Sequence, residues 1–307
     1  MMLALALLAA ICAPSIGLAA ADACILPSLA FAPPALSTHL RQNPSFGQKR
    51  PQAAAAEKSA LQRPATLGQL RRADVVKLRA QKLPRGLQER IVNIHGEEFK
   101  VVEVEKTADL VDAWIQQQMA TTDPFGVVLW PGAQVLAGEL FLLGSALKDK
   151  DVLELGAGTG LCSLVAARQG ARAVASDTND QALDLVDISA ERAGLKVETA
   201  IVDITGSAPL PPSDFLVAAD CMYNPAVARA LARRVVTALA AGTTPLVADS
   251  VNIAREDFEA ELVLLKCPYT IEPRNLTFTG SAVGVDMDVV REAKIALFHF
   301  DREAASS

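Results

Sequence analysis

Side chains that bind metal ions or form covalent intermediates are scarce in this sequence of 307 residues. It has five cysteines and three histidines, and no two cysteines follow the C-x-x-C spacing. A structural zinc site and a disulfide framework are therefore not indicated. The histidines leave little material for Ser-His-Asp catalysis, because they are far apart in the sequence, at His39, His95 and His299. We expect no metal site.

The net charge of −6 conceals two regions of opposite sign. Residues 1–92 contain 12 Lys and Arg against 4 Asp and Glu, whereas residues 93–307 contain 17 against 31. The acidic region is a poor electrostatic match for the phosphates of nucleic acids and a good one for basic proteins. We therefore expect a protein partner of basic character and no nucleic-acid partner. An apolar content of 51% excludes a chain that is disordered throughout.

Residues 1–72 have the composition of a targeting sequence. The first 21 residues contain no charged side chain, and Pro14 and Gly17 interrupt their apolar run, which favours a signal peptide over a membrane span. The segment from Leu29 to Pro34 resembles the Phe-centred cleavage motif of bipartite plastid presequences. Residues 35–72 then carry seven basic side chains and one acidic side chain. We expect import into a plastid and no stable membrane association of the rest of the chain. Secretion, mitochondrial import or an uncleaved membrane anchor are the alternatives.

The remainder of the chain alternates between strand and helix patterns. The region from Gln88 to Glu105 predicts a hairpin with a Gly-Glu turn, followed by a short helix at 107–119 and an extended segment at 127–130. Strands are predicted at 151–155, 172–177, 197–203, 214–219, 244–249 and 294–300. Helices are predicted at 134–147, 160–169, 179–193, 225–241 and 255–266. This alternation predicts an α/β fold with a mostly parallel sheet, formed by one domain at 123–303 after an N-terminal extension at 73–122.

A glycine-rich turn follows the strand predicted at 151–155. Residues 154–160 read Glu-Leu-Gly-Ala-Gly-Thr-Gly and combine the end of this strand, three glycines and the start of a helix. Glycines let a ligand approach the backbone, and the free N–H groups of a helix N-terminus can bind it. Asp177 ends the next predicted strand, where its carboxylate can accept hydrogen bonds from two ribose hydroxyls. The spacing of the glycines differs from the G-x-G-x-x-G of dinucleotide-binding folds. The simpler alternative is a tight strand-to-helix connection that binds no ligand.

This turn resembles the first motif of the seven-strand S-adenosylmethionine-dependent methyltransferases, E/D-x-G-x-G-x-G, which residues 154–160 match in full. The resemblance implies a Rossmann-like, mostly parallel seven-stranded sheet with helices on both faces, here preceded by a hairpin and helix extension. It also implies S-adenosylmethionine as the cofactor. Asp177 would bind the ribose, and Asp203 would lie near the adenine amino group. The implied cofactor-binding residues of this part are Glu154, Gly156, Gly158, Gly160, Asp177 and Asp203.

Two further segments are similar to those of the family-16 protein methyltransferases. Gly126 to Leu136 resembles their G-x-x-x-W-x-x-A-x-x-L segment, and residues 220–223, Asp-Cys-Met-Tyr, match their D-x-x-Y motif. With Asp-Pro-Phe before it, the first segment looks most similar to the lysine methyltransferases of the electron-transfer-flavoprotein β subunit. The resemblance covers about residues 123–265 and implies methyl transfer to a protein lysine. Asp220 would orient the amine, Tyr223 would line the acceptor channel, and Trp130 would pack on the cofactor.

Other interpretations stay open from the sequence alone. Trp130 and Tyr223 are also typical core aromatics, and Asp203 is a typical turn residue. The chain could be a small-molecule N- or O-methyltransferase, a non-catalytic cofactor-binding scaffold or, at the level of the fold, a nicotinamide dehydrogenase. Arg233 and Arg234 are predicted on a solvated helix face. Residues 249–255 lack the Pro-Gly of the family's Asp-Pro-Gly-Arg turn, which leaves a rim contact by Asn252 or Arg255 without support.

Overall fold

The strands form one hairpin and one larger sheet. The computed structural model describes residues 83–105, 124–279 and 290–301, which belong to one compact unit; the predicted leader and the predicted helix at 107–119 lie outside them. The described strands are β1 (Leu87–Ile94), β2 (Glu97–Val104), β3 (Asp151–Leu155), β4 (Arg172–Asp177), β5 (Val197–Ile201), β6 (Phe215–Ala219), β7 (Thr244–Asp249), β8 (Tyr269–Thr279) and β9 (Val290–Phe300). The described α-helices are α1 (Pro131–Leu143), α2 (Leu161–Arg168), α3 (Asp180–Ala193), α4 (Pro225–Ala240) and α5 (Arg255–Leu264).

Seven strands form the larger sheet, in the order β5-β4-β3-β6-β7-β9-β8. The strands from β5 to β7 are parallel, β9 pairs with β7 in the antiparallel direction, and β8 pairs with β9 at the edge. This arrangement confirms the predicted fold class. It also adds the edge strand β8, which forms an antiparallel pair with β9 at the end of the sheet.

Helices cover both faces of this sheet. Successive residues of a strand point to opposite faces, and β3 follows this rule. Val152 packs in a core cluster with residues of α1 and α2, whereas Leu153 and Leu155 pack in a second cluster with residues of α4 and α5. Strand β3 therefore contributes to two hydrophobic layers, and β6 reads as the continuous apolar run Phe-Leu-Val-Ala-Ala that burial on both faces favours.

The connection order creates a crevice at the centre of the sheet. The chain passes from β3 outward to β4 and β5, and then returns to place β6 on the other side of β3. The carboxyl ends of β3, β4 and β6 lie at the same edge, at Leu155, Asp177 and Ala219. Open α/β sheets bind ligands at this kind of switch point, so the topology positions a site here.

The N-terminal hairpin packs against the body of the domain. His95 and Gly96 join β1 to β2, and both have positive φ angles (50° and 91°), as two-residue hairpin turns require. The prediction placed the turn one residue later. The Val102 amide donates to the hydroxyl oxygen of Ser189 in α3 over 2.8 Å, and Phe99 belongs to the core cluster that contains Leu136. The hairpin is thus part of the core.

Element boundaries agree with the predictions within a few residues, with one difference. Asn179 caps α3 by accepting hydrogen bonds from two amides, and Gly194 ends the helix with φ +67°, as predicted. Residues 127–130 were predicted as an extended segment, but Val127 ends a 3₁₀ turn that begins at Pro124, and residues 128–130 form a loop. The indole N–H of Trp130, three residues after this turn, donates to the carbonyl of Phe125 within it over 2.9 Å, and this bond favours a compact loop over a strand. No described helix is both long and apolar enough to span a membrane.

Candidate active site

A cavity opens at the carboxyl edge of the sheet, where the crevice lies. It encloses about 860 Å³ including its open mouth. Its wall combines residues that follow β3, β4, β5 and β6 with the segment before α1. Seven of the residues singled out in the sequence line it: Trp130, Gly156, Gly158, Asp177, Asp203, Asp220 and Tyr223.

Two glycines of the turn after β3 keep the wall of the cavity thin. Gly156 and Gly158 have φ angles of +61° and +53°, which disfavour other residues. A Cβ at residue 156 would lie 2.6 Å from the sulfur of Cys221, and one at residue 158 would lie 3.2 Å from the carbonyl oxygen of Gly126. Glycine is therefore required at both positions for the turn to pack against Cys221 and Gly126, and the backbone of these glycines lines the cavity.

Two expected cofactor residues do not line the cavity. Glu154 is buried beneath the turn, where one of its carboxylate oxygens accepts hydrogen bonds from the amide (2.9 Å) and hydroxyl (2.5 Å) of Ser163 in α2. Burial raises the pKa of Glu154 to about 7. Gly160 begins α2 with φ +73°, and a Cβ there would lie 2.6 Å from Val186. The structure thus gives these two residues a role in shaping the turn from behind.

Asp177 is fixed with both of its carboxylate oxygens. Its Oδ2 accepts a hydrogen bond from the amide of Gly158 over 3.0 Å, and its Oδ1 accepts one from the amide of Asn179 over 2.9 Å. Burial raises the pKa of Asp177. Because a carboxylate can accept about four hydrogen bonds, two sites remain for hydroxyl groups in the cavity. This geometry fits a diol ligand such as a ribose.

The loop after β5 forms the neighbouring wall through Val202, Asp203 and Ile204. The Asp203 side chain is exposed, and its Oδ1 accepts hydrogen bonds from the amide (2.8 Å) and hydroxyl (2.7 Å) of Thr205. These bonds lower the pKa of Asp203, so the group is ionised at neutral pH. The same side chain therefore both shapes a turn and lines the cavity.

Asp220 is the most tightly constrained carboxylate of the site. It follows β6 with φ +53°, a left-handed conformation that is uncommon outside glycine. Its Oδ2 accepts a hydrogen bond from the amide of Gly132 over 2.7 Å, and its Oδ1 accepts one from the amide of Ser250 over 2.6 Å. Burial and the negative charge of Asp249 raise the pKa of Asp220 to about 7. The group can therefore exchange a proton near neutral pH.

Aromatic side chains flank this carboxylate. Trp130 precedes α1, and its ring packs edge to face against Phe125 with the centroids 6.4 Å apart. Tyr223 lies three residues after Asp220, immediately before the cap of α4 at Asn224. Cys221 also lines the cavity, but burial raises the pKa of its thiol well above the ordinary value. A protonated thiol is a weak nucleophile, so this cysteine is not activated for covalent chemistry.

Arg255 is turned inward rather than toward the rim of the cavity. Its guanidinium donates to Oδ2 of Asp249 through Nε over 2.8 Å and to the Asp249 carbonyl oxygen over 2.8 Å. Asp249 is fully buried and also accepts a hydrogen bond from the amide of Asn252. This pair holds the loop from 249 to 255, which supplies the Ser250 amide to Asp220. Without the Pro-Gly pair, the turn is built on Asn252 with φ +55°.

The cavity is electronegative. Of the described residues that line it, Asp177, Asp203 and Asp220 are acidic, and none is Lys, Arg or His. Three carboxylates beside aromatic rings favour a cationic ligand and disfavour a diphosphate. Within the described ranges, no group of three His, Cys, Asp or Glu side chains is arranged to hold a metal ion.

Comparison with known proteins relates the part of the chain around this cavity to a known family. Residues 108–257 match the family described as lysine methyltransferase. The match spans just under half of the chain, and this segment is similar to the members of that family. The family expected from the glycine turn and the D-x-x-Y motif is thereby confirmed.

Three relatives of this segment illustrate the range of names. The chain is 32% identical to a histone-arginine methyltransferase, METTL23, of Xenopus laevis over 36% of its own length and 53% of the relative's. It is 46% identical to the protein-lysine methyltransferase METTL21E of Bos taurus over 18% and 20% of the two lengths. It is also 27% identical to the electron transfer flavoprotein beta subunit lysine methyltransferase of Danio rerio over 52% and 65%. The match to METTL23 thus spans about half of that relative.

Two residues that position Asp220 and Trp130 were not singled out from the sequence. A Cβ at Gly132 would lie 2.6 Å from Oδ2 of Asp220, so only glycine fits beside this carboxylate. Glu103 in β2 is fully buried and accepts a hydrogen bond from the amide of Leu129 over 3.2 Å. Its partner in β1 is Arg90, whose Nε donates to it over 2.9 Å. The available signal was the presence of Arg90 and Glu103, two opposite charges, in one predicted hairpin. The pairing register of its strands was needed to show that the two side chains meet.

Proposed function

We propose that this chain is an S-adenosylmethionine-dependent N-methyltransferase whose acceptor is the side-chain amine of a lysine in a protein. The observation that carries the proposal is the Asp220 carboxylate, held by two backbone amides in an electronegative cavity beside the glycine turn. The family match and the name of the METTL21E relative support the same reaction. The excess of acidic residues after residue 92 supports a basic protein as the substrate.

The residues of the cavity fit the cofactor. Asp177 offers two hydrogen-bond sites for the ribose, and the thin wall at Gly156 and Gly158 admits close contact. Asp203 and Trp130 would contact the remaining parts of the molecule. When bound, S-adenosylmethionine supplies an electrophilic methyl group on a positively charged sulfur. Carboxylates and aromatic faces in the wall stabilise such a charge, whereas lysine or arginine side chains would repel it.

The protein's own contribution is orientation and removal of a proton. An amine attacks only through a free lone pair, so a lysine ammonium has to lose a proton before the reaction. With a pKa of about 7, Asp220 is a stronger base than an ordinary carboxylate, and its fixed oxygens can hold the amine in one orientation. Tyr223 and Trp130 would exclude water from the acceptor side. We assign Asp220 as the group that binds the amine and Tyr223 as the wall of the channel.

One alternative acceptor is supported by a specific observation. The METTL23 relative is named a histone-arginine methyltransferase, and its similarity extends over about a third of this chain. An arginine keeps its proton at all physiological pH values, so Asp220 would serve as an electrostatic clamp in that reaction. A small-molecule acceptor and a non-catalytic scaffold are the remaining alternatives. Three carboxylates without a basic residue argue against a nicotinamide dehydrogenase, whose cofactor carries a diphosphate.

Two measurements test the proposal. Calorimetric titration of the full chain with S-adenosylhomocysteine and with NAD distinguishes the cofactor classes, and binding of NAD alone would refute it. Incubation of the full chain with labelled S-adenosylmethionine and a cell extract, followed by mass spectrometry, then identifies the modified side chain. Methyl-lysine in a protein supports the proposal, and methyl-arginine or a labelled metabolite replaces it with one of the alternatives. Asp220→Asn is the matched control and should strongly reduce the labelling while leaving a measurable rate.

We also propose that residues 1–72 direct the protein to a plastid. The support is compositional: an uncharged apolar start, the Phe-centred segment from Leu29 to Pro34 and a basic stretch after it. A fluorescent protein fused behind residues 1–72 should accumulate in plastids. A second fusion with Phe31→Ala tests the motif itself. Secretion of the first fusion, or its accumulation in mitochondria, would refute this assignment.

A further inference from the structure

Arg234 in α4 is bound to the backbone of the loop after β5. The sequence predicted this side chain on a solvated helix face, but the structure places it half-buried against that loop. Its Nε donates to the carbonyl of Ile204 over 3.2 Å and its Nη1 to the carbonyl of Ala208 over 2.7 Å. Its Nη2 donates to the carbonyl of Gly206. The guanidinium of Arg234 thus binds every second carbonyl of residues 204–208, which form the 204–208 loop.

This segment continues directly into the wall of the cavity. Ile204, whose carbonyl accepts from Arg234, lines the cavity, and its Cδ1 lies 3.9 Å from the Cβ position of Gly156 across the turn. The loop has few bonds of its own: Thr205 and Gly206 donate to Asp203, and these bonds fix only its first part. The carbonyls of Gly206 and Ala208 accept their hydrogen bonds from Arg234 of α4. Arg234 therefore connects a rigid helix to a loop that would otherwise be free to open away from the glycine turn.

We propose that Arg234 is a positioning residue for cofactor binding, which holds the 204–208 loop against the glycine turn and so closes one wall of the cavity. Arginine suits this task because its planar group carries five donors and stays charged, whereas lysine presents one rotatable ammonium. The guanidinium also contributes to the lowered pKa of Asp203, which agrees with its position behind this wall. The inference rests on the proposed function, since it concerns the same cavity.

The adjacent residue provides a matched control. Arg233 is exposed, and its Nε donates to Glu261 of α5 over 2.8 Å, with no bond to the 204–208 loop. Both arginines occupy the interior of α4, so replacing either one by glutamine changes helix propensity and net charge equally. A difference between the two variants in ligand affinity therefore reports the contact with the loop.

The test compares Arg234→Gln, Arg234→Lys and Arg233→Gln in the full chain by calorimetric titration with S-adenosylhomocysteine. We expect the dissociation constant to rise on the order of tenfold for Arg234→Gln, since hydrogen bonds from a charged group are lost, and to stay within about twofold for Arg233→Gln. Arg234→Lys should recover only part of the loss. If Arg234→Gln does not fold, the comparison of Arg234→Lys with Arg233→Gln decides the question.

A second readout separates loop positioning from general stability. Hydrogen exchange at the amides of residues 204–208 should accelerate in Arg234→Gln, slow again when S-adenosylhomocysteine saturates the protein, and stay unchanged in α2 and α3. Equal affinities of Arg234→Gln and the unmodified chain, or equal losses in both glutamine variants, would overturn the inference. Absence of binding in the unmodified chain would overturn the proposed function and this inference with it.

Discussion

A methyl group added at residue 132 would test whether Asp220 has to lie where the structure places it. In Gly132→Ala the new Cβ would be 2.6 Å from Oδ2 and 2.7 Å from Oδ1 of Asp220. Real Cβ atoms do not approach oxygen this closely, so the carboxylate has to move. Its hydrogen bonds from the amides of Gly132 and Ser250 would then lengthen or break.

Two opposing effects determine the magnitude. Alanine stabilises a helix interior by about 1 kcal/mol relative to glycine. Each hydrogen bond to a charged group contributes about 1.5–3 kcal/mol, so loss of the pair at Asp220 outweighs this gain. Because Gly132 lies in the first turn of α1, the gain is at most this large, and we expect a net destabilisation of about 2–5 kcal/mol, within the stability of an ordinary domain. Because a displacement of 1 Å can reduce a rate by roughly 10²-fold, methyl transfer should fall by about that factor.

The assay is the initial rate of protein labelling with labelled S-adenosylmethionine in a cell extract, with a urea titration of each variant. Gly138→Ala is the control in the same helix, because its Cβ would meet only the ring of His95, at 3.4 Å or more. The double variant Gly132→Ala with Asp220→Asn should label no more slowly than Asp220→Asn alone. Full activity in Gly132→Ala, or multiplication of the two losses in the double variant, would refute the reasoning.

Three further predictions concern buried carboxylates. Since the pKa of Asp220 is about 7, the labelling rate should rise about tenfold from pH 6 to pH 8, and a flat profile would contradict its role as base. Glu154 keeps its proton up to about pH 7 when folded but releases it near pH 4.5 when unfolded, so its burial lowers stability as pH rises through this window. In urea titrations, the free energy of unfolding should therefore fall between pH 5 and pH 8 by up to about 3 kcal/mol less in Glu154→Gln than in the unmodified chain. An equal fall in both proteins would contradict the raised pKa of Glu154. Glu103→Gln should cost about 3 kcal/mol because it removes the buried negative charge that Arg90 faces, whereas Glu89→Gln, in a more exposed ion pair with Arg192, should cost less than about 1 kcal/mol; equal costs would show that burial does not strengthen the first pair.

The sheet was predictable where a short, largely apolar segment lies between turn residues. The strands at 151–155, 172–177 and 244–249 were predicted with their observed bounds for this reason. The edge strand β8 was not predicted individually. Tyr269–Thr279 contains Pro273 between Glu272 and Arg274, and this combination is typical of a loop unless a neighbour such as β9 supplies the pairing. Edge strands are therefore the part of this fold that depends most on tertiary context.

The candidate site was predictable where chemistry requires a residue type at a fixed spacing. The turn at 154–160 and the D-x-x-Y segment met this condition, and their residues meet at one edge of the sheet. Gly132 and Arg234 did not meet it. Each acts on a partner far along the chain, Gly132 on Asp220 and Arg234 on residues 204–208, so nothing in the local pattern distinguishes them from an ordinary helix glycine and a surface arginine.

The N-terminal hairpin bears on the site although it precedes the segment that matches the family. Glu103 ties the hairpin to the amide of Leu129, one residue before Trp130 and three residues before Gly132. A shift of the hairpin would therefore be transmitted to the tryptophan that lines the cavity and to the amide that holds Asp220. Since Phe99 and Leu136 also share one core cluster, the hairpin and α1 are expected to move as one body. The hairpin is in this sense a structural part of the candidate active site.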